Sequence, residues 1–185
     1  MGKINDLDLK YWNLIDDLLK HQRHDYLNEI QIIFGYIKLN KIDEAVEYIN
    51  KIRNEASINS KLSNLSCVDL YLMFEKKLKQ CRKEGVNIDF NVYTNAKRED
   101  FKNKEVSKML TYMEKALNII FDYINNNNNK FEKYIIYIEE TSECFVLKVA
   151  LEYLNDIESI KKELDSDLAE IIIEEDYLIY EIELE

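Results

Sequence analysis

Two imidazoles occur in the chain, His21 and His24, within His21-Gln22-Arg23-His24-Asp25-Tyr26-Leu27-Asn28-Glu29-Ile30-Gln31. Imidazole is the side chain best suited to exchange a proton or an electrophile near neutral pH, because its ordinary pKa is about 6.5. Apolar residues recur at helical spacing around this segment, from about Asn5 to Leu39, through Leu7, Tyr11, Leu14, Ile15, Leu18, Leu19, Tyr26, Ile30, Ile33 and Ile37. At roughly 100° per residue, His24 falls almost opposite the centre of that stripe, beside Lys20, Asn28, Gln31, Gly35 and Lys38. A core histidine would sit on the stripe. By spacing alone, this position reads first as an ordinary surface histidine.

Other chemistries fit the residues less well. A zinc site would have His21, His24 and Asp25 as candidates, with no fourth ligand at suitable spacing. A Ser-His-Asp hydrolase would need a nucleophile elbow and an oxyanion hole, which a solvent-facing helix does not offer. The three glycines are Gly2, Gly35 and Gly85, and proline is absent. Phosphate-cradling loops need glycine where backbone amides approach oxygens closely, so no window can be a P-loop, a GxGxxG turn or a kinase-type lid.

The elements that must position the histidine follow from the same periodicity. After a turn at Asn40-Lys41, a second amphipathic run places Ile42, Ala45, Val46, Ile49, Ile52 and Ala56 on one side. Two helices cannot cover their own apolar stripes, so the hairpin is expected to dimerise into a four-helix bundle or to pack on another domain. Asn59–Leu65 reads as a linker. Ser66 and Asp69 then mark a helix start, and Gly85 its C-cap. Val86, Ile88, Phe90 and Val92 alternate as a strand. Lys104–Ile124 returns to helix and Asn125–Asn129 to a loop. A strand pair follows at Tyr134–Glu139 and Cys144–Leu151, then a short helix near Ile157–Leu164, then strands at Ala169–Glu174 and Tyr177–Leu184. This order predicts an α+β sandwich with helices on one sheet face.

Composition narrows the class further. The chain has 185 residues, 46% of them hydrophobic, enough for one large or two small cores. No run of eighteen apolar residues is present, so no membrane span is expected. The start has no apolar h-region, and Asp6 stands where a myristoylation motif wants Ser or Thr. Cys67, Cys81 and Cys144 lie far apart and form no metal-type pair, which points to free thiols and a cytoplasmic location. A net charge of -11 makes nucleic acid a poor partner. Residues 163–185 carry ten carboxyl groups and no Lys or Arg, whereas residues 20–41 carry Lys20, Arg23, Lys38 and Lys41 against Asp25 and Glu29. Two solvated faces explain such asymmetry; so does a basic segment that meets an acidic partner.

The string His21-Gln22-Arg23-His24-Asp25-x-x-Asn28-x-x-Gln31 resembles the phosphoacceptor helix of the sporulation initiation phosphotransferase B family, and of related citrate- and fumarate-type sensor kinases. Ser60-Lys61-Leu62-Ser63-Asn64-Leu65 is similar to that family at the hairpin's end. The resemblance implies residues 1–62 as a helical hairpin that dimerises into a four-helix bundle, and residues 63–185 as a degenerate histidine-kinase-ATPase-like α/β sandwich without nucleotide binding. Where a kinase N-box would read Asn-Leu-x-Asp-Asn-Ala, this chain has Thr111-Tyr112-Met113-Glu114-Lys115-Ala116, with lysine in place of the metal-chelating amide.

The implied activity is that of a histidine phosphotransferase. His24 would accept a phosphoryl group from a response-regulator aspartate and pass it to a second regulator. Asp25 would hold the ring tautomer. Arg23 and Lys20 would offset phosphate charge, and Asn28, Gln31 and Lys38 would contact the docked receiver domain. The resemblance implies no cofactor of the chain's own; Mg²⁺ would come with the partner regulator. The rival readings are a truncated sensor histidine kinase that still binds ATP, a non-catalytic decoy that docks on kinases or regulators, and a plain helical scaffold.

Overall fold

The computed structural model describes residues 6–101, 106–126, 131–165 and 169–184. For residues 6–15, 17, 18 and 21 it describes the backbone alone, so most of the leading part of the apolar stripe lies outside the described side chains. The loop expected at Asn125–Asn129 and the helix start expected at Lys104 also fall partly outside the described residues. The chain divides into two compact units, Met1–Ala56 and Ser57–Glu185.

The first unit is a hairpin of two helices, α1 (Asp6–Lys38) and the greater part of α2 (Ile42–Leu62). Between them Asn40 takes a left-handed conformation with φ 57°. Lys41 N–H then donates to Tyr36 O at 2.9 Å and Asn40 N–H to Ile37 O at 3.0 Å. This is the Schellman arrangement, which satisfies carbonyls that the helix end would otherwise orphan. Asparagine is the side chain after glycine that tolerates the left-handed region, so Asn40 ends α1 where the sequence turn was expected. The two helices are tied by their tyrosines. Tyr36 and Tyr48 rings lie 6.0 Å apart, and the Glu29 carboxyl takes a hydrogen bond from the Tyr48 hydroxyl. That bond, with burial second, pushes the Tyr48 phenol up to about 12. Ala45 is buried, yet Leu19, Tyr26, Leu27, Ile30, Phe34 and Ile37 on α1 all remain exposed. A single chain does not cover this stripe.

The second unit is an α+β sandwich. Helix α3 (Val68–Lys83) precedes strand β1 (Ile88–Thr94). Helix α4 (Val106–Asn126), strands β2 (Tyr134–Glu140) and β3 (Cys144–Ala150), helix α5 (Ile157–Leu164) and strands β4 (Ala169–Glu174) and β5 (Tyr177–Glu183) complete it. The sheet order is β1-β2-β3-β5-β4. β1 runs parallel to β2, a pairing that needs a crossover, which α4 supplies; every other pair is antiparallel. Alternation along the strands puts Ile88, Phe90, Tyr134, Ile136, Leu147, Val149, Leu178 and Tyr180 into one buried layer. Met113, Ala116, Leu117, Ile120, Phe121 and Ile124 of α4 meet it, with Leu70, Phe74 and Leu78 of α3 in the same core.

The end of α2 differs from expectation. Asn59–Leu62, read as linker, is helical, and Ile58, Leu62 and Leu65 join the core of the second unit. Their apolar side chains outweigh the serines and asparagines that made the segment look like a surface connection. The start of α3 differs too. Its N-cap is Cys67, with no side-chain cap, and Ser66 Oγ donates to Ala96 O at 2.7 Å instead. The cap comes from Glu140, fully buried at the end of β2, whose carboxyl oxygens accept from Ser66 N–H at 2.7 Å, Cys67 N–H at 2.9 Å and Thr94 Oγ1 at 2.6 Å. At the other end of α3, Gly85 with φ 78° closes a second Schellman turn, with Val86 N–H on Cys81 O at 2.9 Å.

Because Glu140 satisfies two backbone donors at a helix N-terminus, Glu140→Ala is expected to cost about 3 kcal/mol, most of it from the donors left unpaired. Urea unfolding checks this; a midpoint within error of the parent would show that water replaces the carboxyl.

Candidate functional site

Helix α1 can hold a reactive side chain in open solvent because nothing in its described course breaks it: no proline occurs, and Gly35 has no atom within 4 Å of where a Cβ would stand. His24 sits near its middle with its side chain 74% exposed. The Asn28 carboxamide nitrogen lies 3.1 Å from Nδ1 of His24, the one-turn contact that an i,i+4 spacing allows. Asp25 Oδ1 is 3.6 Å from the same Nδ1, too far for a good hydrogen bond but close enough for its charge to act on the ring. Among the described residues, none makes a contact of this kind with Nε2.

The other expected residues are distributed along the same helix. Lys20 pairs with Asp16 at 2.6 Å, one turn before the histidine. Arg23 and Gln31 are exposed. Lys38 places its ammonium 4.6 Å from the centre of the Phe34 ring, and stands about 21 Å along the axis from His24 at 1.5 Å per residue. The structure therefore gathers His24, Asn28 and Asp25 into one cluster, with Lys20 engaged nearby and Lys38 remote. Asp16 was not anticipated, although its i,i+4 spacing to Lys20 is legible in the sequence. Glu29 with Tyr48 was also missed, and no local spacing signals a bond between two helices.

In the second unit, the segment set against a kinase N-box lies on α4. Met113 and Ala116 point into the core. Thr111, Glu114 and Lys115 face outward, lining a hollow of about 500 Å³ with Asn118, Ile119 and Glu163. Among the described residues no group of three His, Cys, Asp or Glu side chains could hold a metal ion. No described helix is long and apolar enough to cross a membrane.

The hairpin with its solvent-facing histidine, and the α+β sandwich that follows it, have likenesses among known proteins. Residues 6–65 match the family described as Sensor kinase SpoOB-type, alpha-helical domain. Sporulation initiation phosphotransferase B of Bacillus subtilis (strain 168) is 39% identical over 70 residues, covering 38% of this chain and 36% of that protein. The sensor protein CitS of Halalkalibacterium halodurans is 22% identical over 135 residues, covering 72% of this chain and 25% of that one. The chain thus spans 36% of the length of the first of these relatives and 25% of the second. Among solved structures, the Acinetobacter baumannii histidine kinase AdeS aligns over 87% of this chain and 96% of its own, with 14% identity and a TM-score of 0.36.

The likeness to phosphorelay and sensor-kinase proteins is strongest in the helical hairpin. Residues 6–65 match the SpoOB-type alpha-helical domain, and the likeness to sporulation initiation phosphotransferase B extends over 70 residues.

Proposed function

We propose that the chain is a histidine phosphotransferase that receives a phosphoryl group from a response-regulator aspartate on His24 and delivers it to a second regulator, in the control of sporulation initiation. The observation that carries this reading is the exposed ring of His24, held through Nδ1 and open at Nε2, within the segment that matches the family. In this reading residues 1–62 form the phosphoacceptor and dimerisation part, and residues 63–185 a kinase-ATPase-like part that binds no nucleotide. The protein works in the cytoplasm, on the receiver domains of regulators.

The chemistry asks for positioning and charge balance more than for covalent machinery. An aspartyl phosphate is a mixed anhydride. The Nε2 lone pair attacks phosphorus opposite the acyl oxygen, the N–P bond forms as the P–O bond breaks, and the regulator carboxylate leaves with the electron pair. The ring proton on Nδ1 passes to solvent or stays hydrogen-bonded. The resulting phosphoramidate is labile enough to donate to a second aspartate by the reverse sequence. Mg²⁺ brought by the regulator would offset phosphate charge. Arg23 would add to that on this side, and Lys20 would do so on releasing Asp16.

The test is direct: incubated with a regulator phosphorylated on aspartate, the full chain should acquire label that survives alkali and is lost in acid. Stable binding without any label would leave the decoy. The rival kinase reading meets Lys115 where its chelating amide should stand. Saturating Mg-ATP should leave Tm unchanged, since a ligand that binds only the folded state raises it by mass action. A clear rise together with self-labelling would establish the kinase.

A further inference from the structure

The sheet of the second unit packs one face into the core, and its other face carries a hollow that the chemistry of His24 does not involve. Side chains at alternate positions of β1, β2 and β3 floor this hollow in two rows. Register sets Asn91 beside Tyr137 and Tyr137 beside Lys148 in the first row. In the second row Tyr93 stands beside Glu139, and Glu139 beside Val146. Lys61, in the last turn of α2, also lines the hollow, whose volume is about 380 Å³. Small-molecule sites run from roughly 300 to 1,000 Å³. We infer that this hollow binds a small aromatic carboxylate, with its ring on the tyrosines and its carboxylate on Lys148.

Two phenol rings on a solvent-facing sheet surface offer a ligand flat apolar area. Tyr93 is 59% exposed and Tyr137 is 36% exposed. Tyr137 is braced, because its ring meets that of Tyr177 at 5.8 Å and 87°. The Lys148 ammonium lies 4.4 Å from the centre of the same Tyr177 ring. Tyr177 therefore holds the ring-binding group and the carboxylate-binding group in place before a ligand arrives, which lowers the ordering cost of binding.

Charge selects the sign of the ligand. The lining carries two ammonium groups, Lys61 and Lys148, against one carboxyl, Glu139. Lys61 meets Asp89 Oδ1 at 2.8 Å, but Lys133 meets Oδ2 of the same carboxyl at 2.7 Å, so Asp89 does not absorb the surplus. Among the described residues, Lys148 makes no ion pair. On a chain of net charge -11, a lining with excess cation is a local exception. A polyanion would also meet the acidic surface around it, whereas a ligand confined to the hollow meets the surplus alone. The sheet sets the size. With strands about 4.8 Å apart, a row of three spans about 10 Å, which suits a fused two-ring acid. Glu139 repels a second anionic group and can accept from a ring N–H.

Indole-3-acetate serves as the probe, titrated into the ¹⁵N-labelled full chain and followed in ¹H–¹⁵N spectra. Saturable shifts of the Asn91, Tyr137 and Lys148 amides are expected, with a dissociation constant of about 0.1–1 mM. Cyclohexaneacetate keeps the charge without the aromatic ring and should bind at least about threefold more weakly. Tryptamine reverses the charge and should bind at least about tenfold more weakly. Lys148→Met should weaken the probe about tenfold, and Lys148→Arg should restore it. Tyr93→Ala, at an exposed position that the fold tolerates, should weaken it about threefold. No saturable shift, shifts remote from these strands, or equal binding of the three compounds would overturn the inference. Movement of the same amides with protein concentration alone would overturn it too, by placing a second copy on this face. His24 takes no part in this binding, so labelling of His24 by a phosphorylated regulator is decided separately.

Discussion

His24→Ala abolishes labelling by a phosphorylated response regulator, and His21→Ala retains most of it. Both expectations come from the helix. His24 is exposed and off the apolar stripe, so removing its ring takes away the acceptor atom without opening a cavity or unpairing a buried group. Helix content by circular dichroism and molecular mass should both be unchanged. His21 lies about one turn earlier and roughly 60° around the helix, so it cannot stand in for the same attack geometry. Asp25→Ala is expected to slow transfer several-fold and not to stop it, since the carboxyl acts on the ring through space. The measurement is label on the isolated protein over minutes, with its acid lability checked. Label that persists in His24→Ala and disappears in His21→Ala would move the acceptor one turn along the helix.

Ile30→Asp is expected to convert the proposed dimer into a monomer. The side chain of Ile30 is 61% exposed in the single chain, in the company of Tyr26, Leu27, Phe34 and Ile37 on the same helix. Contiguous apolar surface of that kind marks an interface. Burying one isoleucine is worth about 1.5–3 kcal/mol, and a twofold dimer buries it twice. A charge at both copies should raise the dissociation constant by at least about a hundredfold. Sedimentation equilibrium should give twice the 22.2 kDa chain mass for the parent at micromolar concentration, and the chain mass for the variant. A parent that sediments as a monomer would remove the four-helix bundle.

Much of this architecture was legible beforehand because it is written in local patterns. The 3.6-residue stripe, the αL-tolerant Asn40 and Gly85, and the two-residue alternation of the strands each act within a few residues of themselves. The α-β-α-β-β-α-β-β order of the second unit follows from them. The pairing order β1-β2-β3-β5-β4, with one parallel pair, depends on residues far apart and was not readable. Glu140 shows the same limit. In sequence it is one more acid at a strand end, and only the fold brings it to the start of a helix some seventy residues away. The linker reading failed over Asn59–Leu62 for another reason: polar composition resembles a linker, but Leu62, with Ile58 just before the segment, is a core residue. At the site, the exposure of His24 was legible from the wheel. Which neighbour touches its ring was not, since adjacency in sequence places Asp25 closer than adjacency on a helix does.

The continuity of α2 bears on how such a chain can have been assembled. The helix belongs to the hairpin for most of its length, yet Ile58 and Leu62 are core residues of the sandwich. Recombination that joined a hairpin to a new partner at the helix end would carry those two side chains away and leave a gap behind Leu65. A seam between Ala56 and Ser57, inside an unbroken helix, lets each module keep its own interior.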